Sequence, residues 1–174
     1  MIKPESPANE KARIHALHGL NILDTPPENR FDNITDTAKK HYDVPIALVS
    51  IVDVDRQWFK SVQGLDASET SRDISFCGHA IHHDEILYVP DACDDLRFAT
   101  NPLVTGAPFI RFYAGAPLII GPELRVGTLC LIDRKPRQFE YEEFEFLREL
   151  ANNVERELKA APIEQLTQTC YEQL

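Results

Sequence analysis

One short segment crowds most of the side chains that could do chemistry: Cys77-Gly78-His79, followed by His82, His83 and Asp84. On a helix His79 and His83 are i, i+4 neighbours, the spacing at which two imidazoles share a metal ion. Cys77 stands two residues before His79, and i, i+2 side chains diverge on a helix, so a closed four-ligand site needs a ligand from elsewhere. The plainer reading leaves His82 and His83 exposed at a helix end and hydrogen-bonds His79 beneath a sheet. We adopt it and expect no metal site.

The same segment offers a nucleophile. A thiol at a helix N-terminus has a lowered pKa, and His79 could serve Cys77 as base. The chain has four cysteines, Cys77, Cys93, Cys130 and Cys170, with no C-x-x-C spacing among them, so neither a zinc ribbon nor a thioredoxin-type motif is signalled. Cys130 lies in an apolar run, where a thiol is ordinarily inert packing. Thiols rather than disulfides are expected in a reducing compartment.

Arg72, Arg97 and Arg111 fall near Asp73, Asp91 and Asp95. Arginine binds carboxylates and other anions bidentately, so these residues either clamp an anion or pin loops to a sheet through Arg–Asp pairs. The second reading is favoured, with Arg111 the best placed for a ligand contact. Trp58, Phe76, Phe98, Phe109 and Tyr113 either wall a pocket with aromatic faces or fill it. The residues assigned to ligand binding are Trp58, Phe76, Cys77, His79, Phe98, Arg111 and Tyr113; none is assigned to catalysis. Glu140, Glu142, Glu143 and Glu145 open the last helix, where negative charge complements the dipole, and they are read as a solvated face, not a calcium site.

The elements that must position these residues are helices at both ends and strands between. Ser6-Pro7 offers a cap, and Ile14, Leu17 and Leu20 a short stripe ending near Leu23. Thr25-Pro26-Pro27-Glu28 sets a cap threonine, an N1 proline and a capping-box glutamate in register. Phe31, Ile34, Ala38 and Tyr42 then mark one helix face. Ile46–Val52 is apolar on both faces, as a central strand is, and Gln57–Gln63 returns as its hairpin partner. Gly64–Asp73 reads as a polar stretch, Ser75 as the cap of a short helix over Phe76–His83, and Ile86–Val89 as a third strand. Ala92–Arg111 has turn chemistry, with a helical turn near Asp95–Phe98. Phe112–Ile120 and Arg125–Ile132 form a second hairpin, and a long helix runs from Tyr141 to Ala160. Hairpins demand antiparallel pairing, so the fold class is α+β. One sheet face packs on the terminal helices, and the excursions Gly64–Ile81 and Ala92–Arg111 cover a pocket on the other.

The chain has 174 residues, 43% of them hydrophobic, and a net charge of −10 from 18 basic and 28 acidic residues. One domain of this length can bury a sizeable core without metal or disulfide. The charge repels phosphate backbones, so nucleic acid is not an expected partner. No apolar run approaches the roughly 18 residues of a membrane span, and the first residues lack the apolar core of a signal peptide. A soluble, cytoplasmic protein without a membrane partner is expected.

Three strings resemble the GAF domain family, in particular the bacterial subgroup at the N-terminus of sensor kinases and diguanylate cyclases. They are Asp53-Val-Asp-Arg-Gln-Trp-Phe-Lys60; Arg72-Asp-Ile-Ser-Phe-Cys-Gly-His-Ala-Ile81, continuing into Val89-Pro-Asp-Ala92 and Asp95-Leu-Arg-Phe98; and Asn101-Pro-Leu-Val104 with Ile110–Leu118 and Gly127–Asp133. The Leu23-Asp-Thr-Pro-Pro-Glu28 entry also fits. The resemblance covers about residues 10–160, after an extension over 1–9 and before a helical tail or linker over 161–174. It implies a five- or six-stranded antiparallel sheet with helices on one side and a pocket on the other. It implies regulation by a small molecule of unidentified class and leaves any cofactor unknown. A homodimer through the terminal helices is expected, along with an output domain or partner such as a kinase or diguanylate cyclase. The heptad-spaced Phe144, Leu147, Ala151, Val154 and Leu158 supply a seam for that dimer, or the stripe that faces the sheet, a reading Leu150 supports. The enzymatic alternative is a relative of the free methionine-(R)-sulfoxide reductases, whose reactive cysteine precedes the strand that here begins at Phe112. Asn101–Arg111 carries no cysteine, and Cys77 matches only an auxiliary one. The third reading is a dimerisation scaffold with a filled pocket.

Overall fold

Ile46–Val52 is apolar at both parities, and a strand of that composition must be covered on both faces. In the computed structural model, which describes residues 1–160, it is β1, buried at every position and central in a six-stranded antiparallel sheet. β2 (Arg56–Gln63) pairs beside it, and the short β3 (Glu69–Ser71) forms that edge. On the other side come β6 (Arg125–Asp133), β5 (Phe112–Ile119) and β4 (Leu87–Val89), giving the spatial order β3-β2-β1-β6-β5-β4. The α+β, GAF-like architecture expected from the sequence is the one observed, with six strands.

The two sheet faces follow from strand parity. Ala47, Val49 and Ile51 of β1 join Phe112, Ala114, Ala116 and Leu118 of β5 in the core beneath the helices. That core is closed by α1 (Glu10–Gly19), α2 (Asn29–Tyr42) and α5 (Tyr141–Lys159), through Leu17, Phe31, Ala38, Leu147, Ala151 and Val154, all without exposed surface. Ile46, Leu48 and Val52 point the other way, into a second cluster under the irregular segments. That face carries α3 (Cys77–Ala80), α4 (Pro102–Thr105) and the 3₁₀ turns Arg72–Ile74 and Ala92–Asp94.

Several local expectations are corrected. Thr25 does not cap α2. Glu28 holds the N-cap position in extended backbone, and the Thr25 hydroxyl donates to the Ile22 carbonyl at 2.6 Å while accepting from Lys60 Nζ at 2.8 Å. The stretch after Gly64 contains β3, an edge strand of three residues too short to show a period. α4, nucleated by an Asn-Pro pair, stands where the sequence shows only turn chemistry. The short helix after Ser75 spans one turn, although the Ser75 hydroxyl does hold it, accepting from Gly78 N at 3.0 Å.

The heptad positions Leu147, Ala151, Val154 and Leu158, with Leu150, are all buried in the chain's own core. Phe144 packs edge-on to Tyr88 and Phe139. The seam is therefore the stripe that faces the sheet, and Leu17 of α1 faces it too. The amphipathic tail expected beyond Ala160 lies outside the described residues. Among those described, no helix is long and apolar enough to cross a membrane.

Candidate functional site

Between the second sheet face and the two excursions lies a cavity of about 460 Å³. Leu48, Phe59, Tyr113, Cys130 and Ile132 form its floor from four strands. The first excursion contributes Leu65, Ala67, Phe76 and Cys77, the second Leu103, Pro108 and Ile110. Asp66 and Arg134 stand at the rim, exposed. The lining is largely apolar, with a few convergent polar atoms, as small-molecule sites ordinarily are.

The walls are irregular, so local side-chain bonds must fix them. Asn101 links the two excursions. Its Oδ1 accepts from Leu103 N at 2.9 Å, capping α4, and its Nδ2 donates to the Ile74 carbonyl at 3.0 Å. The side chains of Ser71 and Asp91 accept from Asp73 N and Cys93 N, capping the two 3₁₀ turns. Gly64, at φ +83°, turns the chain out of β2. A Cβ there would lie 1.8 Å from the Pro45 carbonyl oxygen, so the first excursion can leave the sheet only from glycine.

The first excursion is also tied to α1. Arg72, nearly buried, donates to the Glu10 carboxylate at 2.5 Å and to the Asp53 carbonyl at 2.9 Å. Fully buried Arg13 donates to the same carboxylate through Nε and Nη2, and to the Val52 carbonyl. Burial raises the Glu10 pKa, but hydrogen bonds from Arg13 and Arg72 outweigh it and hold the carboxyl at about 2.

The floor carries a buried polar network. Ser50 Oγ donates to Gln57 Oε1 at 3.2 Å, and Gln57 Nε2 donates to Thr70 Oγ1 at 2.6 Å. Cys77 Sγ lies 3.2 Å from the Tyr113 hydroxyl and 3.1 Å from Thr128 Oγ1. Gly115 makes this possible. A Cβ there would come within 2.2 Å of the Tyr113 hydroxyl, so only glycine lets that ring lie along the strand. Burial pushes the Tyr113 phenol far up. Burial also opposes ionisation of Cys77, but the neighbouring Cys130 thiol and the hydroxyls of Thr128 and Tyr113 outweigh it and lower that thiol, while the neighbouring Cys77 thiol and burial push the Cys130 thiol up.

Of the residues assigned to the ligand from sequence, Phe76, Cys77 and Tyr113 line the cavity. Phe98 sits behind them, without exposed surface, its ring stacked on Phe76 with centroids 4.0 Å apart. His79 lies beyond Phe98, edge-on at 5.0 Å, and its Nε2 donates to the Ile2 carbonyl at 3.0 Å. It faces a separate crevice with His82, His83 and Arg97. Burial lowers its pKa, so the ring favours the neutral form.

Arg111 is also displaced from the cavity, since it grips Asp91 with two bonds of 2.9 Å. Arg97 grips Asp95 in the same way. These two pin loops, in keeping with the favoured reading of the Arg–Asp pairs. Trp58 is corrected outright. Its parity on β2 puts it in the core beneath the helices, while Gln57 and Phe59 face the pocket. Phe109 neither walls nor fills; it is 54% exposed at φ +61°.

Neither chemical constellation read around Cys77 is assembled. Cys77 turns inward to the floor and His79 outward to Ile2, so no thiol–imidazole pair exists between them. A one-turn helix also supplies little of the dipole invoked for the thiol. His82 bonds the Glu5 carbonyl and Asp84 pairs with Arg125. Among the described residues no group of three or more His, Cys, Asp or Glu side chains is placed to hold a metal ion. Sequence reasoning missed Gln57, Phe59, Leu103, Ile110, Cys130 and Arg134. Strand parity could have found Phe59 and Cys130, since each lies one residue from a side chain facing the helices. Leu103 and Ile110 lie in irregular backbone that gives no such signal.

The GAF domain family model matches residues 26–158. A cyclic di-GMP phosphodiesterase from Pseudomonas aeruginosa is 44% identical over 137 residues, which span 79% of this chain and 23% of that protein. The GAF domain of an Acinetobacter phosphoenolpyruvate-protein phosphotransferase superposes with a TM-score of 0.60 at 16% identity, over 84% of this chain and 92% of that one. A free methionine-R-sulfoxide reductase from Neisseria meningitidis, in complex with its substrate, superposes with a TM-score of 0.61 at 18% identity, over 91% and 96%. At such identities the structural likeness speaks for the fold alone.

Proposed function

The chain belongs to the GAF domain family, and from that premise we propose that it is a cytoplasmic, signal-sensing regulatory module that binds a small, largely apolar molecule between the sheet and its two excursions. One observation carries this reading: the cavity of about 460 Å³, built of apolar walls on a polar floor. Its size suits a small organic ligand, and it weighs against a scaffold whose pocket is filled by its own side chains. The relative from Pseudomonas aeruginosa supports a signalling context. This chain corresponds to about a quarter of that protein, so the output activity belongs to an attached domain or a partner chain and not to this pocket.

We assign the module no catalysis of its own. The enzymatic alternative needs a nucleophile in the segment Asn101–Arg111, which has no cysteine, and Cys77 has no histidine base beside it. Self-association through the terminal helices has to use their outer faces, because the apolar stripes of α1 and α5 are committed to the sheet.

The link from pocket to output runs through Glu10, which joins α1 to Arg72 of the first excursion. A ligand that moves the excursion acts on that terminal helix through this carboxylate.

Native mass spectrometry of the purified chain tests the reading. A retained small molecule is expected, and it should be lost in Ala67→Phe, which fills the cavity, while circular dichroism stays unchanged. A chain that holds nothing, and whose melting temperature no small apolar acid, amine or heterocycle raises, would overturn it.

A further inference from the structure

Two thiols from segments far apart in the chain meet at the pocket floor. Cys77 opens α3 and Cys130 stands mid-strand in β6, and both line the cavity. Thr128, whose hydroxyl meets Cys77, stands two residues before Cys130 in β6, and both cysteines belong to one buried cluster. The Tyr113 and Thr128 hydroxyls lie 3.2 and 3.1 Å from Cys77 Sγ. A cysteine kept for packing sits among hydrocarbon. These two are buried in one wall of the cavity, with two hydroxyls against Cys77, a setting in which one sulfur can ionise and the other can trap what forms on it.

We propose that Cys77 and Cys130 are an oxidant-responsive dithiol, which a hydroperoxide small enough to enter the pocket closes into a disulfide across its floor. Tyr113 and Thr128 stabilise the Cys77 thiolate, whose sulfur attacks one peroxide oxygen. The O–O bond breaks, and with hydrogen peroxide the departing hydroxide takes up the thiol proton as water, leaving Cys77 as a sulfenic acid. The Cys130 sulfur attacks that sulfur, the S–O bond breaks, and hydroxide leaves with the Cys130 proton as a second water. Two thiols lose two electrons and two protons, and the peroxide is reduced to two waters.

The switch goes beyond the sensory reading of the pocket and needs no ligand. It makes the redox state of the floor a second input. The disulfide takes the Cys77 sulfur out of its present bond with the buried Tyr113 hydroxyl, which must then turn elsewhere.

The test uses the intact chain carrying Cys93→Ser and Cys170→Ser, which leaves the floor as it is. After hydrogen peroxide, acid denaturation and alkylation, both remaining thiols should be lost together. A Cys77–Cys130 cross-linked peptide should appear, and dithiothreitol should reverse both changes. Adding Cys77→Ser or Cys130→Ser should abolish the cross-link. If both thiols still alkylate fully after peroxide treatment, or oxidise separately to sulfinic acids without a cross-link, the proposal is overturned. The deciding measurement is made on the variant with the native floor, so it stands even where a single serine variant folds poorly. Failure here leaves the ligand reading to its own mass-spectrometric test.

Discussion

The two faces of the sheet share six strands and differ in almost everything else. Beneath the helices, Leu17, Phe31, Leu147 and Val154 close on aliphatic strand residues, and every side chain is fixed by its period. On the other face the covering segments have no period. One-turn helices and 3₁₀ turns are held by Asn101, Ser75 and Asp91, and the space they enclose keeps thiols, hydroxyls and an amide around a cavity. A core that must be stable is close-packed. A wall that must admit something is held by a few directional bonds. One face thus keeps the fold, and the other gives up part of its packing for recognition.

Equal truncations should separate the faces most strongly. Leu147→Ala, beneath the helices, is expected to lower unfolding stability by about 2–5 kcal/mol. Leu103→Ala, at a partly exposed position on the cavity wall, removes less buried surface and is expected to cost about 1 kcal/mol. Chemical denaturation of the two variants decides it, and equal losses would break the comparison.

The bridge between the faces comes next. The folded-state pKa of Glu10, about 2, is depressed below its ordinary value of 4.5. The stability it contributes is therefore present above about pH 4.5 and is lost as pH falls toward 2. Glu10→Gln should lower stability at pH 7 by about 1–2 kcal/mol, after discounting the exposed part of the carboxylate for solvent screening. The gap between variant and parent should close in denaturation curves taken toward about pH 2.

Smaller still is Asn101→Ala, which removes a cap and the bond to Ile74 and should cost about 1 kcal/mol. Its signature is local: amide exchange should quicken in Pro102–Thr105 and around Ile74, with no change in α5. Arg111→Ala should have the least effect. Its partly exposed pair with Asp91 lies off the pocket, so calorimetric affinity for any pocket ligand should stay within error of the parent's. A loss of binding would return Arg111 to the site.

The same contrast explains how far the sequence can be read. β1, β5 and β6 are long apolar runs and α5 displays a helical period, and their sequence-derived bounds agree with the structure to within about a residue or two. In α5 the buried residues follow from that period. Trp58 is the counterexample: aromatic character suggests a pocket wall, but parity turns its neighbours Gln57 and Phe59 to the pocket and Trp58 away from it. His79 and Arg111 lie in strings that match the family, yet each is drawn away by a partner, Ile2 or Asp91, that no spacing reveals. β3 is three residues long and α4 a single turn, below the length at which any pattern forms. Topology alone therefore locates the pocket, while contacts between distant segments decide much of its lining.

Xenon tests the difference between the faces most directly, because it enters apolar cavities and has no chemistry of its own. Methyl resonances of the intact chain should be followed as xenon pressure rises. Saturating shifts are expected at Leu48, Leu103, Ile110 and Ile132 around the cavity, with none at Leu147, Val154 and Leu158 beneath the helices. Shifts spread evenly over both sets, or confined to the helix side, would contradict the assignment of one face to packing and the other to binding.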